Sequence, residues 1–306
     1  MVLRAQAQVA FANGSRQDTG FGVYTHHIIM MDIGRPMVTL PVEARCKNGT
    51  KGGGFDSLGA LGGAAMGGMG GSGAGAPSGG HSHGRKNKRQ HDHSGSEGTP
   101  MAPEGISVPP GFQMPAISVL VGTGEDASPQ VFASKDPKVK SGFYIGSNDT
   151  FTAMVEAVNY NPYEKDIYLS MDYEYIPGPR EPGWLNSGIG SISIDGCEGG
   201  LGFHPPADGP ITFTSNEWIA GANGYLINFT PHLHDGAINI EVFRNGTLVC
   251  HSDAIYGGDE GDSALSVGTD TWETISGYTE CLEAVKVSTG DILTMTSLYD
   301  LTKHKL

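Results

Sequence analysis

The sequence predicts an all-β protein, a β-sandwich or barrel, and three of its features carry that expectation. Short runs with an apolar residue at every second position recur along most of the chain. Gly (47 of 306 residues) and Pro (18) break those runs with turn signals. No convincing amphipathic helix appears, since no segment keeps the apolar period of 3.6 that one requires.

The elements follow in order. Ala5-Gln6-Ala7-Gln8-Val9-Ala10-Phe11 alternates and then meets the turn Asn13-Gly14. The run from Val23 to Ile33 is a second strand and carries His26 and His27. Residues 50–112 are Gly-Ala-Met repeats, then a basic stretch with His81, His83, His91 and His93. Glycine costs backbone entropy to order, and little apolar surface here offsets it, so a disordered insert is expected. Its histidines offer loose metal ligands, and Lys88-Arg89 is a dibasic pair open to a processing protease; the plain reading of both, a solvated and charged linker, is favoured. From Ile117 the strands return, with Thr152–Val158 and Ile167–Ile176 the clearest. Ile176-Pro177-Gly178-Pro179-Arg180-Glu181-Pro182-Gly183 then breaks the chain sharply. Beyond it lie more strands, including Ala237–Phe243, Thr247–Cys250 and Ile292–Leu298. The expected organisation is a first domain over 1–49 and 113–180, the insert over 50–112, and a second domain over 181–306 that is truncated at its C-terminus.

Charged residues are 17% of the chain and the net charge is −14. Nucleic acid is therefore not an expected partner, because phosphate binding needs clustered Lys and Arg. No run reaches the roughly 20 apolar residues of a membrane span. The chain opens directly on strand-like sequence with no leader peptide, which taken alone indicates a cytoplasmic protein. Cys46, Cys197, Cys250 and Cys281 are an even set without a CxxC pair, which fits two disulfides better than a zinc site. Sequons begin at Asn13, Asn48, Asn148, Asn228 and Asn245, with Asn245, Asn228 and Asn148 the candidate glycan sites. Together these favour an extracellular or cell-surface glycoprotein whose leader is missing from this chain. Cys250 and Cys281 flank one strand-loop-strand region, so pairing them closes a loop of about 30 residues, worth roughly 3 kcal/mol or a little more in the chain-entropy account. Cys46 and Cys197 are left to pair across the domains or to stay free.

The chemistry centres on His232-Leu233-His234, placed before the alternating run Ala237-Ile238-Asn239-Ile240-Glu241-Val242-Phe243. Residues two apart on a strand share a face, so both imidazoles can grip one metal ion. A pair of surface or core histidines beside a Gly turn is the plain alternative. His26 and His27 are adjacent and face opposite sides of a regular strand; a bulge or a strand end is needed to bring them together. His204 and His251 read as loop and surface histidines. Asp259-Glu260-Gly261-Asp262 lacks the full spacing of a calcium loop and reads as a solvated loop.

Tyr24-Thr25-His26-His27-Ile28-Ile29-Met30, His232-Leu233-His234, Arg244-Asn245-Gly246 and Gly290-Asp291-Ile292-Leu293 occur in that order. This series resembles the copper type II monooxygenases of the peptidylglycine α-hydroxylating kind. The stretch from His232 to Leu293 is similar to the stress up-regulated nodulin family. The resemblance implies two jelly-roll-like β-sandwich domains, each offering one copper to a cleft: His26 and His27 would hold the electron-donating metal, and His232 and His234 the metal at which oxygen and substrate meet. Two departures stand out. Asn159, in Ala157-Val158-Asn159-Tyr160, occupies the place of a third histidine, and no segment after the Gly-Asp strand supplies a methionine; Met295 reads as core. The expected function is a metal-binding but catalytically incomplete protein of this fold. The alternative is an active copper- and reductant-dependent monooxygenase acting on an unknown small molecule or peptide. The oligomeric state is not legible.

Overall fold

A computed structural model describes residues 1–34, 42–46, 51–53, 118–194, 197, 204–257, 264–267 and 270–304, all within one compact unit of Met1–Leu58 and Met114–Leu306. A second unit, Gly59–Gln113, lies outside the described residues, as does the expected insert apart from Lys51–Gly53. The acidic loop at 259–262 and the sequon at Asn48 also lie outside them.

The fold class is all-β, as expected. Among the described residues the one helical element is a single 3-10 turn, Thr19–Phe21. The Asp18 carboxylate accepts from Gly20 N at its start, and Gly22, at φ 71°, ends it. This turn delivers the chain into the strand of His26 and His27.

The first lobe is two three-stranded antiparallel sheets. Strand Val2–Ala10 lies between Gln130–Val131 and Tyr168–Tyr175. Strand Val23–Asp32 lies between Ser118–Thr123 and Phe151–Asn159. The period of two places Ala5, Ala7 and Val9 inward and Gln6 and Gln8 outward. The inward set meets Val23, Ile28, Leu120, Val121, Phe132 and Phe143 in one core cluster. Removing the Phe143 ring would cost about 3–5 kcal/mol, the usual cost of an emptied aromatic site.

The second lobe is built on an eight-stranded antiparallel sheet. Its order is Ile275–Tyr278, Thr247–Tyr256, Ala237–Arg244, Ile292–Asp300, Glu217–Ala220, Val42–Arg45, Lys51–Gly53, with Pro210–Thr214 also pairing to Ile292–Asp300. Two of these strands come from the early chain: Val42–Arg45 pairs with Glu217–Ala220 and carries Lys51–Gly53 at its edge. The sequence reading assigned residues through 49 to the first domain, whereas residues 42–46 are part of the second sheet. Trp218 is fully buried there beside Ala44, Cys46 and Leu293, and its indole N–H donates to Ser193 O at 3.0 Å. Met295 is core, as expected.

Asn245 (φ 50°) and Gly246 (φ 78°) turn the hairpin between Ala237–Arg244 and Thr247–Tyr256. Two positive φ values in sequence match the right-handed twist of the flanking strands, which is why Asn-Gly is favoured there. The Asp291 carboxylate accepts from Arg244 Nε and Asn245 Nδ2, both at 2.8 Å. The Arg244-Asn245-Gly246 and Gly290-Asp291 motifs therefore clasp each other and serve the fold. The Asn245 amide nitrogen, which would carry a glycan, is committed to that clasp. Asn228 Nδ2 donates to Thr230 Oγ1 at 3.0 Å, and Asn148 is exposed.

Both disulfides form. Cys250–Cys281 has a Cα separation of 5.5 Å, inside the range expected of a bridge. Cys46–Cys197, left open by the sequence, also pairs at 5.5 Å. Neither bridge joins the two lobes, because Cys46 sits on the second sheet.

Candidate metal centre

Strand Val23–Asp32 and strand Phe151–Asn159 pair in register except at one place. Thr25 faces Ala157, and His27 faces Glu156, so His26 is the extra residue of a bulge. A bulge reorients one side chain without ending the ladder. Here it turns His26 and His27 toward the same side, with ring centroids 4.1 Å apart.

His232 and His234 stand opposite. The expected strand placement does not hold: they lie in an extended loop, and the turn Asp235-Gly236 separates them from the strand that begins at Ala237. Three phenols hold this loop. Tyr278 Oη accepts from Leu233 N at 3.0 Å and donates to Leu233 O at 3.3 Å. Tyr256 Oη accepts from Gly236 N and donates to Ala237 O, each at 2.9 Å. Tyr299 takes a hydrogen bond from the His234 backbone. Gly236 suits this turn, because φ 92° lies in the left-handed region that favours glycine, and a Cβ there would also meet the Leu301 side chain. The loop therefore does by side-chain hydrogen bonds what a sheet ladder would otherwise do. Both rings still reach the same site.

The sequence expected two separate histidine pairs, and the geometry gives one cluster. His27 Nε2 lies 3.3 Å from His232 Nε2. Ring centroids are 5.8 Å apart for His26 and His234, 5.1 Å for His27 and His232, and 5.4 Å for His232 and His234. Two nitrogens each about 2.1 Å from a tetrahedral metal stand about 3.4 Å apart, so the His27–His232 pair has the span of two ligands of one ion. Gly124 permits this approach: a Cβ there would lie 2.9 Å from His26 O and 3.6 Å from His232 Cε1.

Asn159 is not beside the histidines. It pairs with Val23, and its amide donates to Tyr163 O at 2.8 Å. The residue of that strand which does reach them is Glu156. Its Oε2 is 3.0 Å from His26 Nδ1 and 3.4 Å from His27 Nδ1. These three side chains also form a possible metal-holding group among the described residues. The sequence reading missed Glu156.

Burial favours the neutral, ligand form of His27, His232 and His234. Burial lowers the His27 pKa, and His26 beside it adds repulsion. Burial lowers His234, with His26 and His27 contributing. Burial, then His234, lowers His232 well below the ordinary histidine value. His232 and His234 keep edges open to the cleft, so the cause is crowding by protein and not a seal against water. Neutral imidazoles are the form that binds metal.

Behind the cluster lies a buried carboxylate. Glu125 accepts from Thr19 N at 3.0 Å and from Thr25 N at 2.8 Å, tying the 3-10 turn to the residue before His26. Burial raises its pKa to about 7 against the pull of those two amides. A pocket open to solvent and lined by Tyr24, His26, Glu125, Asp126, His232 and Tyr278 holds about 20 Å³ of water-sized space. That admits a single water-sized group and falls far below the ~300–1,000 Å³ of an organic ligand pocket.

His251 is a surface residue as expected, held between Glu241 at 3.0 Å and Asp253 at 3.1 Å. The histidines of the insert lie outside the described residues.

The chain has sequence relatives. Residues 206–305 match the family described as Stress up-regulated Nod 19. The chain is 28% identical over 184 residues to the "Probable copper-dependent oxygenase M1" of Phoma sp., an overlap of 60% of this chain and 45% of that protein. It is 27% identical over 185 residues to the "Probable copper-dependent oxygenase clz3" of Cochliobolus lunatus, covering 60% of this chain and 56% of that one. The chain thus spans about half the length of the curated relatives it matches. No solved structure matches it. The resemblance to copper monooxygenase-like proteins related to the stress up-regulated nodulins is borne out. No helix among the described residues is long and apolar enough to cross a membrane.

Proposed function

We propose that this chain is a copper-binding protein of the oxygenase-like group, in which His26, His27, His232 and His234 hold a single shared copper. The observation that carries the reading is the 3.3 Å approach of His27 Nε2 to His232 Nε2 across the two lobes. The donor set fits copper, since imidazole is among the ligands that copper takes. Bound there, copper would supply one-electron redox chemistry with oxygen and a reductant.

The residues of the chain set the limits of that chemistry. Two-copper chemistry would need two independent ligand sets, and among the described residues the four histidines form one cluster. Glu125 and the tyrosine-held loop fix the positions of the rings. A substrate would meet the cluster from the cleft. The two disulfides support an oxidising compartment, such as the cell exterior; a glycan, if present, fits Asn148 better than Asn245.

The test is metal analysis of untagged protein with anaerobic Cu(I) titration. One copper per chain, lost in both His27→Ala and His232→Ala, is the expected result. Two coppers lost separately in the two variants would restore the two-site arrangement, and no binding would end the copper reading. Ascorbate-dependent oxygen consumption, present in the parent and absent in both variants, would place the chain among active oxygenases.

A further inference from the structure

We propose that this chain forms a two-fold symmetric dimer through the edge strands of its first lobe, each copy lending strand Phe151–Asn159 to the open side of the other's sandwich. The inference is independent of the copper reading.

The first lobe is closed on one side and open on the other. On the closed side Gln130 Nε2, in one sheet, donates to Gly122 O in the other at 3.1 Å. On the open side the sheets end in strands Tyr168–Tyr175 and Phe151–Asn159, and among the described residues each pairs with a single neighbour. Side chains directly opposite in an antiparallel pair share a face. Leu169, Met171, Tyr173 and Tyr175 face Val9, Ala7, Ala5 and Val2 of the core, Val155 faces Ile28, and Ala153 faces Met30. All six therefore point into the sandwich. Yet Leu169, Tyr173, Tyr175 and Val155 are 38%, 41%, 65% and 40% exposed, and Ala153 is exposed as well. The cause is an offset of the two layers. Tyr173 Oη donates to Met30 Sδ at 3.6 Å, so strand Tyr168–Tyr175 lies over strand Val23–Asp32 and leaves the inward face of Phe151–Asn159 bare.

The occupant that fits the bare position is a second copy. Val9 O accepts from Gln17 N and Asp18 O from Val23 N, so the end of the first strand meets the start of the next. Ala10 pairs with Tyr168 and Val23 with Asn159, so the two edge strands run antiparallel, one in each layer. A two-fold axis parallel to them sets Phe151–Asn159 of each copy beside Tyr168–Tyr175 of the other. Each sheet is then continued by a sheet of the other copy, and both open edges are used. Setting Tyr173 opposite Ala153 and Met171 opposite Val155 keeps the apolar faces inward. In that register Asp172, Glu174 and Glu156 meet Met154, Thr152 and Ser170. One slip of the register would set Asp172 against Glu156, a like-charge pair that destabilises. Taking about 150–250 Å² for a fully exposed aromatic side chain, the inward residues expose on the order of 400 Å² per copy. That is about half of the ~800 Å² that a standard interface takes from each partner, and the strand backbones with Thr152, Ser170, Asp172 and Glu174 supply the remainder along the seam. Unblunted edges invite strand pairing, and a self-complementary interface of this kind closes at two copies.

The experiment is sedimentation velocity of the full-length chain over a wide range of concentration, with Ala153→Lys and Leu169→Lys beside the parent. The parent should sediment at twice the chain mass and both variants at the chain mass. Both residues are exposed in the single chain, so far-UV circular dichroism should be the same in all three proteins. A second measurement reads the seam itself. Thr152→Cys/Glu174→Cys, treated with a short bis-maleimide, should yield linked dimers, because each residue meets the other across the two copies. Thr152→Cys and Glu174→Cys alone should yield none. A parent that stays at the chain mass, variants that stay dimeric, or polymers that grow with concentration would each overturn the proposal. So would links in either single variant, no link in the double variant, or a parent whose added mass is a shorter peptide seated on the open side.

Discussion

The two disulfides close loops of very different length, and that difference predicts unequal losses on removal. Cys46–Cys197 has a sequence separation of 151 and Cys250–Cys281 one of 31. In the chain-entropy account each bridge stabilises by a constant plus 1.5RT times the logarithm of loop length, giving about 5 kcal/mol for the long loop and about 3.7 kcal/mol for the short one. The difference, about 1.4 kcal/mol, depends only on the length ratio and is the sharper quantity. Alanine is the replacement to use, because Cys46 and Cys250 are buried among apolar neighbours and a serine hydroxyl would add a desolvation penalty of its own. Cys46→Ala/Cys197→Ala and Cys250→Ala/Cys281→Ala would be unfolded in urea beside the parent, and midpoints and slopes compared. The long-loop variant should be the less stable by roughly 1–2 kcal/mol. Equal losses, or a larger loss from the short loop, would show that packing around the sulfurs outweighs the restriction of the unfolded chain.

Three further outcomes are expected. Gly124→Ala puts a methyl group 2.9 Å from His26 O; the strand or the facing loop must move, at about 1–3 kcal/mol of stability, and Cu(I) titration should show affinity weakened by an order of magnitude or more. Tyr278→Phe removes the hydroxyl that serves both Leu233 N and Leu233 O; denaturant unfolding should show a loss of about 1–3 kcal/mol for the orphaned groups, with weaker copper binding as the loop loosens. Glu125 holds its proton up to about pH 7, against an ordinary value of 4.5. Its folded pKa is raised, so the contribution is full below the unfolded value and is lost as pH rises through the folded one. The thermal midpoint of Glu125→Gln should therefore gain on that of the parent as pH rises from about 5 to about 8, while the lowered pKa values of His27, His232 and His234 act on both proteins alike; a difference that does not change with pH would mean that Glu125 does not titrate there.

The histidines were legible because spacing alone marks them: His232 and His234 stand two apart, and His26-His27 adjoin inside an apolar run. The need for a bulge at His26 followed from strand geometry, although its presence did not. Glu156 was hidden for a physical reason. An isolated Glu in an alternating strand looks like any solvated outward residue, and only the pairing of His27 with Glu156 brings it to the rings. Asn159 stands out in the sequence because its neighbours match the residue types of the copper monooxygenase resemblance; register puts it three positions beyond Glu156 on the same strand, opposite Val23. The His232–His234 loop reads as a strand because its spacing continues that of Ala237–Arg244; the tyrosines that hold it instead come from strands tens of residues further on. The early strand Val42–Arg45 crosses to the second sheet, and nothing local in a four-residue strand records which partner it will find.

The tie between His27 and His232 spans 205 positions of chain, and this imposes an order on how the molecule is put together. A ligand set drawn from such distant segments cannot pre-exist in a nascent or partly folded chain, since closing so long a loop comes late and at an entropic cost. Copper would accordingly be the last component to arrive, after both lobes have formed and met. Once in place it would act as a reversible cross-link between them, favouring the folded form by mass action wherever free copper exceeds its dissociation constant. Occupancy of the centre would then double as a readout of maturation, since a chain with misplaced lobes would present only half-sites and release the ion.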